Sequence, residues 1–510
     1  MNENKTKNTV RSAFWGVLSK LLLPVLSFVN RTVIIYTLGM EYVGLGSLFT
    51  SLLQVLSLAE LGISEAIVFC MYKPVAQNDI DKVCAILNFY KKSYRIIGLI
   101  ILAIGSIFLI NLDFLISGDV PVEINTKLLF LIYIANSVSS YFLFSYKTPI
   151  LTVYQRNDIQ FKITIFINIV CQIAQFFLLL LLKNYYVYVL ITLLGTITTN
   201  LLNNAFIRKK YPEFIAKGKI DKLTVDTIKK QTTALMIGKL VIVSRNSFDN
   251  LIISMLFGII LIGQYGNYYY IMNLVYGLLV SICAAMRGAI GNHVASLPVM
   301  RNYNNMMMFN HLFGWIYGVC SVVLLCVYQP FMKIWVGTKN MMPFSMVMLM
   351  VIYFYCLCAF LIISQYSEAA GLYWEHRYRY ILESVSNLVM NIVLAKLLGI
   401  NGVVISTILS VFFVTNIWGS GIILKKYFVG CSKKRFYFEQ GRHILVTVLA
   451  SFAAWYACDF IELDNFFGLL IRAFIAVAVT LVVYLIVYFR TPIFKEAVAF
   501  SKNAAKTFIK

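Results

Sequence analysis

Arg31, Gly39 and Gly44, in the stretch RTVIIYTLGMEYVG, find counterparts 219 residues later in Asn250, Gly258 and Gly263, in NLIISMLFGIILIG. The same offset pairs Lys20 with Lys239, Gly118 with Gly337 and Tyr154 with Tyr373. An offset held constant from Lys20 to Tyr154 implies two copies of one multi-helix unit. Membrane chains duplicated in this way commonly carry a transport site between their halves.

That the chain belongs in a membrane follows from its composition. Of 510 residues, 60% are hydrophobic and 13% are charged, against about 25% charged in a soluble globular chain. No stretch between apolar runs exceeds about 25 residues, so a sizeable soluble domain is excluded. The net charge of +22 does not point to nucleic acid, because the cations sit in short loops between apolar runs. The ten cysteines lie mostly inside those runs and form no CxxC or Cys/His cluster. Neither a metal nor a disulfide is expected. Lys5, Lys7 and Arg11 precede a first apolar run too long for a cleavable signal peptide, so none is expected.

A membrane span needs about 20 mostly apolar residues. Fourteen runs qualify, near 12–38, 42–70, 83–112, 125–149, 159–183, 185–207, 232–258, 262–290, 303–329, 344–370, 378–398, 401–424, 441–461 and 465–489. The expected fold is all-α and polytopic: two six-helix lobes related as parallel repeats, plus two C-terminal helices. The expected boundaries are a first lobe at 1–210, a linker at 211–231, a second lobe at 232–430, helices thirteen and fourteen at 431–490, and a tail at 491–510. The basic stretch 208–231 suits an amphipathic segment against anionic lipid. With both termini inside, cytoplasmic segments and the cytoplasmic ends of spans hold 34 of the 44 Lys and Arg, the outer loops and outer span ends hold five, and five lie deeper within spans. That asymmetry is the signature of a multi-pass protein of the cytoplasmic membrane with cytoplasmic ends.

Charged residues inside spans are costly, and they normally face a partner or a water-filled cavity. Lys20, Pro24, Ser27 and Arg31 are spaced four, three and four, which puts them on one helix face. In span seven, Lys239, Asn246 and Asn250 occupy the positions equivalent to Lys20, Ser27 and Arg31. Two matching polar stripes suggest a central cavity, with snorkelling of Lys20 and Arg31 to the headgroups as the other reading. Glu60 and Glu65 lie in span two, and a Lys20–Glu60 pair is expected at similar depth. Arg245 and Asp249, four apart, can neutralise each other or act directly. Arg472 is expected outside any path. Glu60 and Asp249 are the candidates for ion coupling or a charge switch. In span eight, Tyr265, Tyr269, Asn273 and Tyr276 form a polar aromatic stripe that suits sugar rings or, equally, ordinary helix packing or an interfacial belt.

No catalytic signature is present. There is no P-loop and no HExxH, the four histidines are scattered, and no cofactor is implied.

The stretch from Asn30 to Ile67, NRTVIIYTLGMEYVGLGSLFTSLLQVLSLAELGISEAI, resembles the start of a Wzx-type polysaccharide flippase. MYKPVAQND (Met71 to Asp79) and YQRND (Tyr154 to Asp158) resemble that family's cytoplasmic loops. The family shares a superfamily with the lipid II flippases and the multidrug and toxin extruders. The resemblance implies movement of an undecaprenyl-pyrophosphate-linked oligosaccharide across the bacterial cytoplasmic membrane by alternating access. It also implies a polysaccharide polymerase and chain-length partners. A cationic cavity of Lys20, Arg31, Lys239 and Arg245 would meet the pyrophosphate. The alternative is a cation-coupled drug antiporter of the same fold. Five embedded cations against Glu60, Glu65 and Asp249 favour an anionic cargo.

Overall fold

The computed structural model describes residues 2–509 except 61, 119 and 462, with the side chains of 2–10, 13, 17, 59, 234, 237, 242, 244, 246 and 501–509 outside the description. Every regular element among the described residues is helical, as an all-α membrane protein requires, because a helix satisfies its own backbone where no water can.

The first repeat runs α1 (Asn2–Thr37), α2 (Met40–Leu56), α3 (Ile63–Ala76), α4 (Ile80–Ile110), α5 (Thr126–Phe142), α6 (Asn157–Leu182) and α7 (Tyr185–Lys210). The second runs α8 (Lys222–Val243), α9 (Asp249–Phe257), α10 (Ile259–Ser296), α11 (Val299–Val336), α12 (Phe344–Ala359), α13 (Leu361–Ala369), α14 (Arg377–Leu398), α15 (Ile400–Leu409) and α16 (Ser420–Lys426). Shifting α1 by 219 residues lands on α8–α9, α2–α3 lands on α10, and α4 lands on α11. Three helices have no counterpart: α17 (Lys433–Asp459), α18 (Phe466–Tyr488) and α19 (Pro492–Ile509).

The glycines that mark the repeat in sequence mark it in backbone conformation. Gly39 (φ 121°) and Gly258 (φ 88°) separate α1 from α2 and α9 from α10. Gly118 (φ 86°) and Gly337 (φ 74°) form a second matched pair. Positive φ is open to glycine at little cost.

Eleven helical segments among the described residues are long and apolar enough to cross a membrane. The other three expected spans are helical but interrupted or diluted. Between α2 and α3 lie a 3-10 turn at Ser57–Glu60 and Gly62 at φ 89°. Between α8 and α9 lies a π turn at Ser244–Phe248. In α17 the apolar run is diluted by Arg442, His443 and Asp459. The tight expected pair near Asn184 is two helices: Lys183 takes φ 47°, and the Asn184 side chain accepts from the backbone N–H groups of Tyr186 and Val187.

Contacts divide the chain into two units, Met1–Gly263 and Gln264–Lys510. Helices α8 and α9 therefore lie with the first unit, although the repeat groups them with the second copy. Within the first unit, a Cβ on Gly44 would stand 2.0 Å from the Ile259 carbonyl oxygen, and one on Gly263 would stand 2.6 Å from that of Met40. Since 44 corresponds to 263 and 40 to 259, the two approaches are one contact made twice, a local two-fold at the starts of α2 and α10. In the second unit, small residues let α11, α17 and α18 pack closely, as they do in membrane interiors. Ala450, Ala454 and Ala476 are fully buried, and Gly318 faces the Tyr484 hydroxyl. Leu181, Phe474 and Ile486 are more than 70% exposed, as befits side chains that meet lipid.

Candidate functional site

The first unit carries a polar seam where α2–α3 meets α8–α9. The Asn250 amide donates to the Ser51 hydroxyl at 2.9 Å. The Ser247 hydroxyl donates to Gln54 Oε1 at 3.0 Å. Lys239 pairs with Glu65, both side chains being partly exposed. Asp249 is buried and Arg245 half-buried in the same stretch. Both partners break their helix here, α2–α3 by the 3-10 turn and α8–α9 by the π turn. Such π turns frequently occur at functional sites, because the extra residue redirects side chains. The seam thus gathers Lys239, Arg245, Asp249 and Asn250 from the sequence reading, and adds Ser51, Gln54 and Glu65. The side chain of Asn246 lies outside the described residues.

Glu60 takes a different partner from the one expected. Its carboxylate accepts from the Tyr94 hydroxyl at 2.7 Å and from that of Tyr141. Lys20 is exposed on α1, and among the described residues no ion pair joins Lys20 to Glu60. Equal depth brings Lys20 and Glu60 level but does not reveal that α4 and α5 offer tyrosines to the same carboxylate.

The polar face of α1 is also engaged within the unit. Ser27 accepts from the Gln172 amide at 3.1 Å, and Asn30 donates to the Gln172 carbonyl at 3.0 Å. Arg31 is half-buried and acts electrostatically on Tyr185 of α7. The Ser27 edge therefore packs on α6, which the periodicity could not distinguish from a cavity face.

Of the tyrosine stripe on α10, Tyr265 is buried and stacks on half-buried Tyr269, with ring centroids 6.0 Å apart. Tyr276 is half-buried and Asn273 is exposed. The neighbouring Tyr268, outside the predicted stripe, is fully buried. It donates to Gln329 Oε1 at 2.9 Å and accepts from the Met342 N–H at 3.1 Å.

Two features of the second unit escaped the sequence reading. The first is a buried polar ladder on α14: Arg379, Glu383, Asn387 and Asn391, each four residues from the next and none more than 5% exposed. Opposite it, α15 and a ten-residue π segment, Ser410–Gly419, present hydroxyls. Arg379 donates to Thr415 at 3.1 Å, Thr415 to Glu383, Asn387 to Thr407 at 3.0 Å, and Ser406 to Asn391. A strict spacing of four in RYILESVSNLVMN was the available signal. The second feature is an apolar cavity of about 460 Å³. It is walled by α12, the π segment and α17, with Val351, Ile352, Phe412, Ile417, Ile444 and Val448 among its lining and Gly441 on its wall. Helix α17, which the repeat does not contain, closes one side.

No protein-family model matches the chain, and no curated protein matches it in sequence. Solved structures match its fold across most of its length. A lipid II flippase, MurJ, in an inward closed conformation superposes with a TM-score of 0.64 at 16% identity, over 92% of this chain and 98% of that one. An inward-facing multidrug-resistance transporter of the MATE family, of the MOP superfamily, gives 0.59 at 12% identity, over 81% and 99%. A eukaryotic MATE transporter gives 0.57 at 12%, over 86% and 99%. The chain shares the multi-pass helical fold of these solved structures.

Proposed function

We propose that this chain is a flippase that moves undecaprenyl-pyrophosphate-linked oligosaccharide across the bacterial cytoplasmic membrane by alternating access, for surface polysaccharide synthesis. The observation that carries the reading is the apolar cavity of about 460 Å³ in the second unit. A polyprenyl chain is long, flexible and wholly apolar, and a cavity with this lining gains by burying such a chain. A drug cation would want carboxylates, and none lines the cavity. The superposition on a lipid II flippase supports the same class of lipid-linked cargo. In this reading Lys20, Arg31, Lys239 and Arg245 supply positive charge to the pyrophosphate. Tyr269, Asn273 and Tyr276 meet the sugars, and Glu60 or Asp249 serves coupling.

The test uses a strain lacking the chain's gene and any second flippase. Lipid-linked oligosaccharide should accumulate on the cytoplasmic leaflet while surface polymer disappears. Gly441 has open space around its missing Cβ, so Gly441→Trp should fill the cavity, leave a folded protein and block export. Restoration of normal surface glycan by that variant would sink the cavity reading. Energised efflux of lipophilic cations would replace the flippase by an antiporter.

A further inference from the structure

Four cations meet at one end of the first unit's bundle. Lys147 follows the break after α5 and is 7% exposed. Lys91 and Arg208, from α4 and α7, act on it electrostatically, and Arg208 and Arg95 act on Tyr146 beside it. The Lys91 ammonium lies 5.7 Å from the centre of the Tyr146 ring. The Arg208 guanidinium lies 5.3 Å from that of Phe144. Among the described residues none of these four cations is in an ion pair, and the Lys147 ammonium has no hydrogen-bond partner. In the expected topology all four lie in the cytoplasmic halves of their spans or just beyond them.

Like charges held together around a largely buried side chain repel one another until an anion joins them. An apolar or amide side chain would have avoided that cost. The backbone contributes strain as well. Phe144 stands at φ 64°, where a bulky side chain is disfavoured by roughly 1–2 kcal/mol, and this turn is what carries Lys147 inward.

We propose that Lys147, Lys91, Arg95 and Arg208 form a binding site for a phosphate group. Three cations around a fourth match a phosphoryl group's charge and its several acceptor oxygens. The ligand is either the headgroup of an anionic lipid in the adjacent leaflet or a free phosphate anion. The site shares no residue with the polar seam or the apolar cavity, and it does not depend on the transport reading.

The experiment uses the full chain in nanodiscs of phosphatidylcholine, with and without phosphatidylglycerol, and a titration with inorganic pyrophosphate. Thermal unfolding and native mass spectrometry of retained lipid are the readouts. Stabilisation by pyrophosphate in pure phosphatidylcholine identifies a free-phosphate site. Stabilisation only by phosphatidylglycerol, with lipid molecules retained, identifies a headgroup site. In either case Lys147→Met should weaken the response at least tenfold. In phosphate-free phosphatidylcholine the same variant should melt no lower than the wild type, because a charge repelled by Arg208 and Lys91 has gone. If Lys147→Met does not fold, Lys91→Gln/Arg208→Gln, at more accessible positions, carries the same expectation. Lys425→Gln/Lys426→Gln, equal in charge and exposed in the second unit, should leave the response intact. A wild type that responds to neither ligand, or variants that respond as the wild type does, would overturn the proposal.

Discussion

At the scale of single residues, the glycines that recur at the 219 offset are held by backbone geometry rather than side-chain chemistry. Gly44→Ala would drive a methyl into the Ile259 carbonyl, a backbone group that cannot rotate aside. The expected loss is about 1–3 kcal/mol, the range of core overpacking, and it should show as a lower unfolding midpoint. Gly277→Ala, on the same long α10 with nothing within 4 Å, should not lower it. A second residue prediction concerns pH. His376 is buried between α13 and α14 and shares a hydrogen bond with the Ser367 hydroxyl at 2.7 Å. Burial first, and the nearby Arg379 second, push its pKa down to about 4. The fold therefore prefers the neutral ring, while the unfolded chain takes a proton near 6.5. The stabilisation is complete above about 6.5, declines as pH falls toward 4, and is worth on the order of 3 kcal/mol across that window. Unfolding midpoints at pH 7.5 and 5 should fall less steeply in His376→Gln than in the wild type. Equal slopes would mean that His376 is not held neutral. Gly39, Gly258, Gly118 and Gly337 were legible in the sequence because turns demand particular backbones. The partners of Ser27 and Glu60 were not, since helix periodicity gives a face but not the neighbour that covers it.

At the scale of elements, the lengths of the helices could be read from apolar runs, but their interruptions could not. A π turn adds one residue to a helix without changing its composition, so Ser244–Phe248 looks continuous in sequence. The interruption falls where Lys239, Arg245, Asp249 and Asn250 cluster, and it packs against the end of α2, just before the 3-10 turn. Deleting Ser244 should restore regular α-helical register and rotate everything N-terminal to it by about 100° relative to α9. Ser247 and Asn250 would keep their bonds to Gln54 and Ser51, while Lys239 would turn away from Glu65. The deletion variant is expected to reach the membrane and to lose export. An alanine at position 244, which preserves residue count, should retain it. Surface-polymer assays on membranes with matched protein amounts separate the two outcomes. Export by the deletion variant would make the π turn a packing detail. The polar ladder on α14 was legible in principle, because its spacing of four is written in the sequence. It was passed over because only one of its members, Glu383, is a charge far from a helix end.

At the scale of the whole molecule, charge distribution and helix count make one joint prediction. Thirty-four of 44 cations lie in segments on one side if the chain crosses the membrane an even number of times. Eleven segments pass as continuous spans, and an odd number would put the two ends on opposite sides. Evenness therefore rests on the three interrupted or diluted elements: α2–α3, α8–α9 and α17. The first two complete one-to-one matches with helices of the other repeat, and α17 is 27 residues long, about 40 Å at 1.5 Å per residue, enough to cross. Replacing the ten free cysteines by serine or alanine and introducing single cysteines gives the test. A membrane-impermeant thiol reagent should label positions 120, 339 and 463 from outside intact cells. Positions 156, 218 and 430 should react only after the cells are opened. Position 430 is the decisive one, because it follows the twelfth span and precedes α17. Labelling there from outside would mean that one of the two broken segments does not cross. The basic loop Lys425–Arg442 would then lie against the positive-inside rule, and the first lobe and the second would enter the membrane with opposite polarity rather than as parallel repeats.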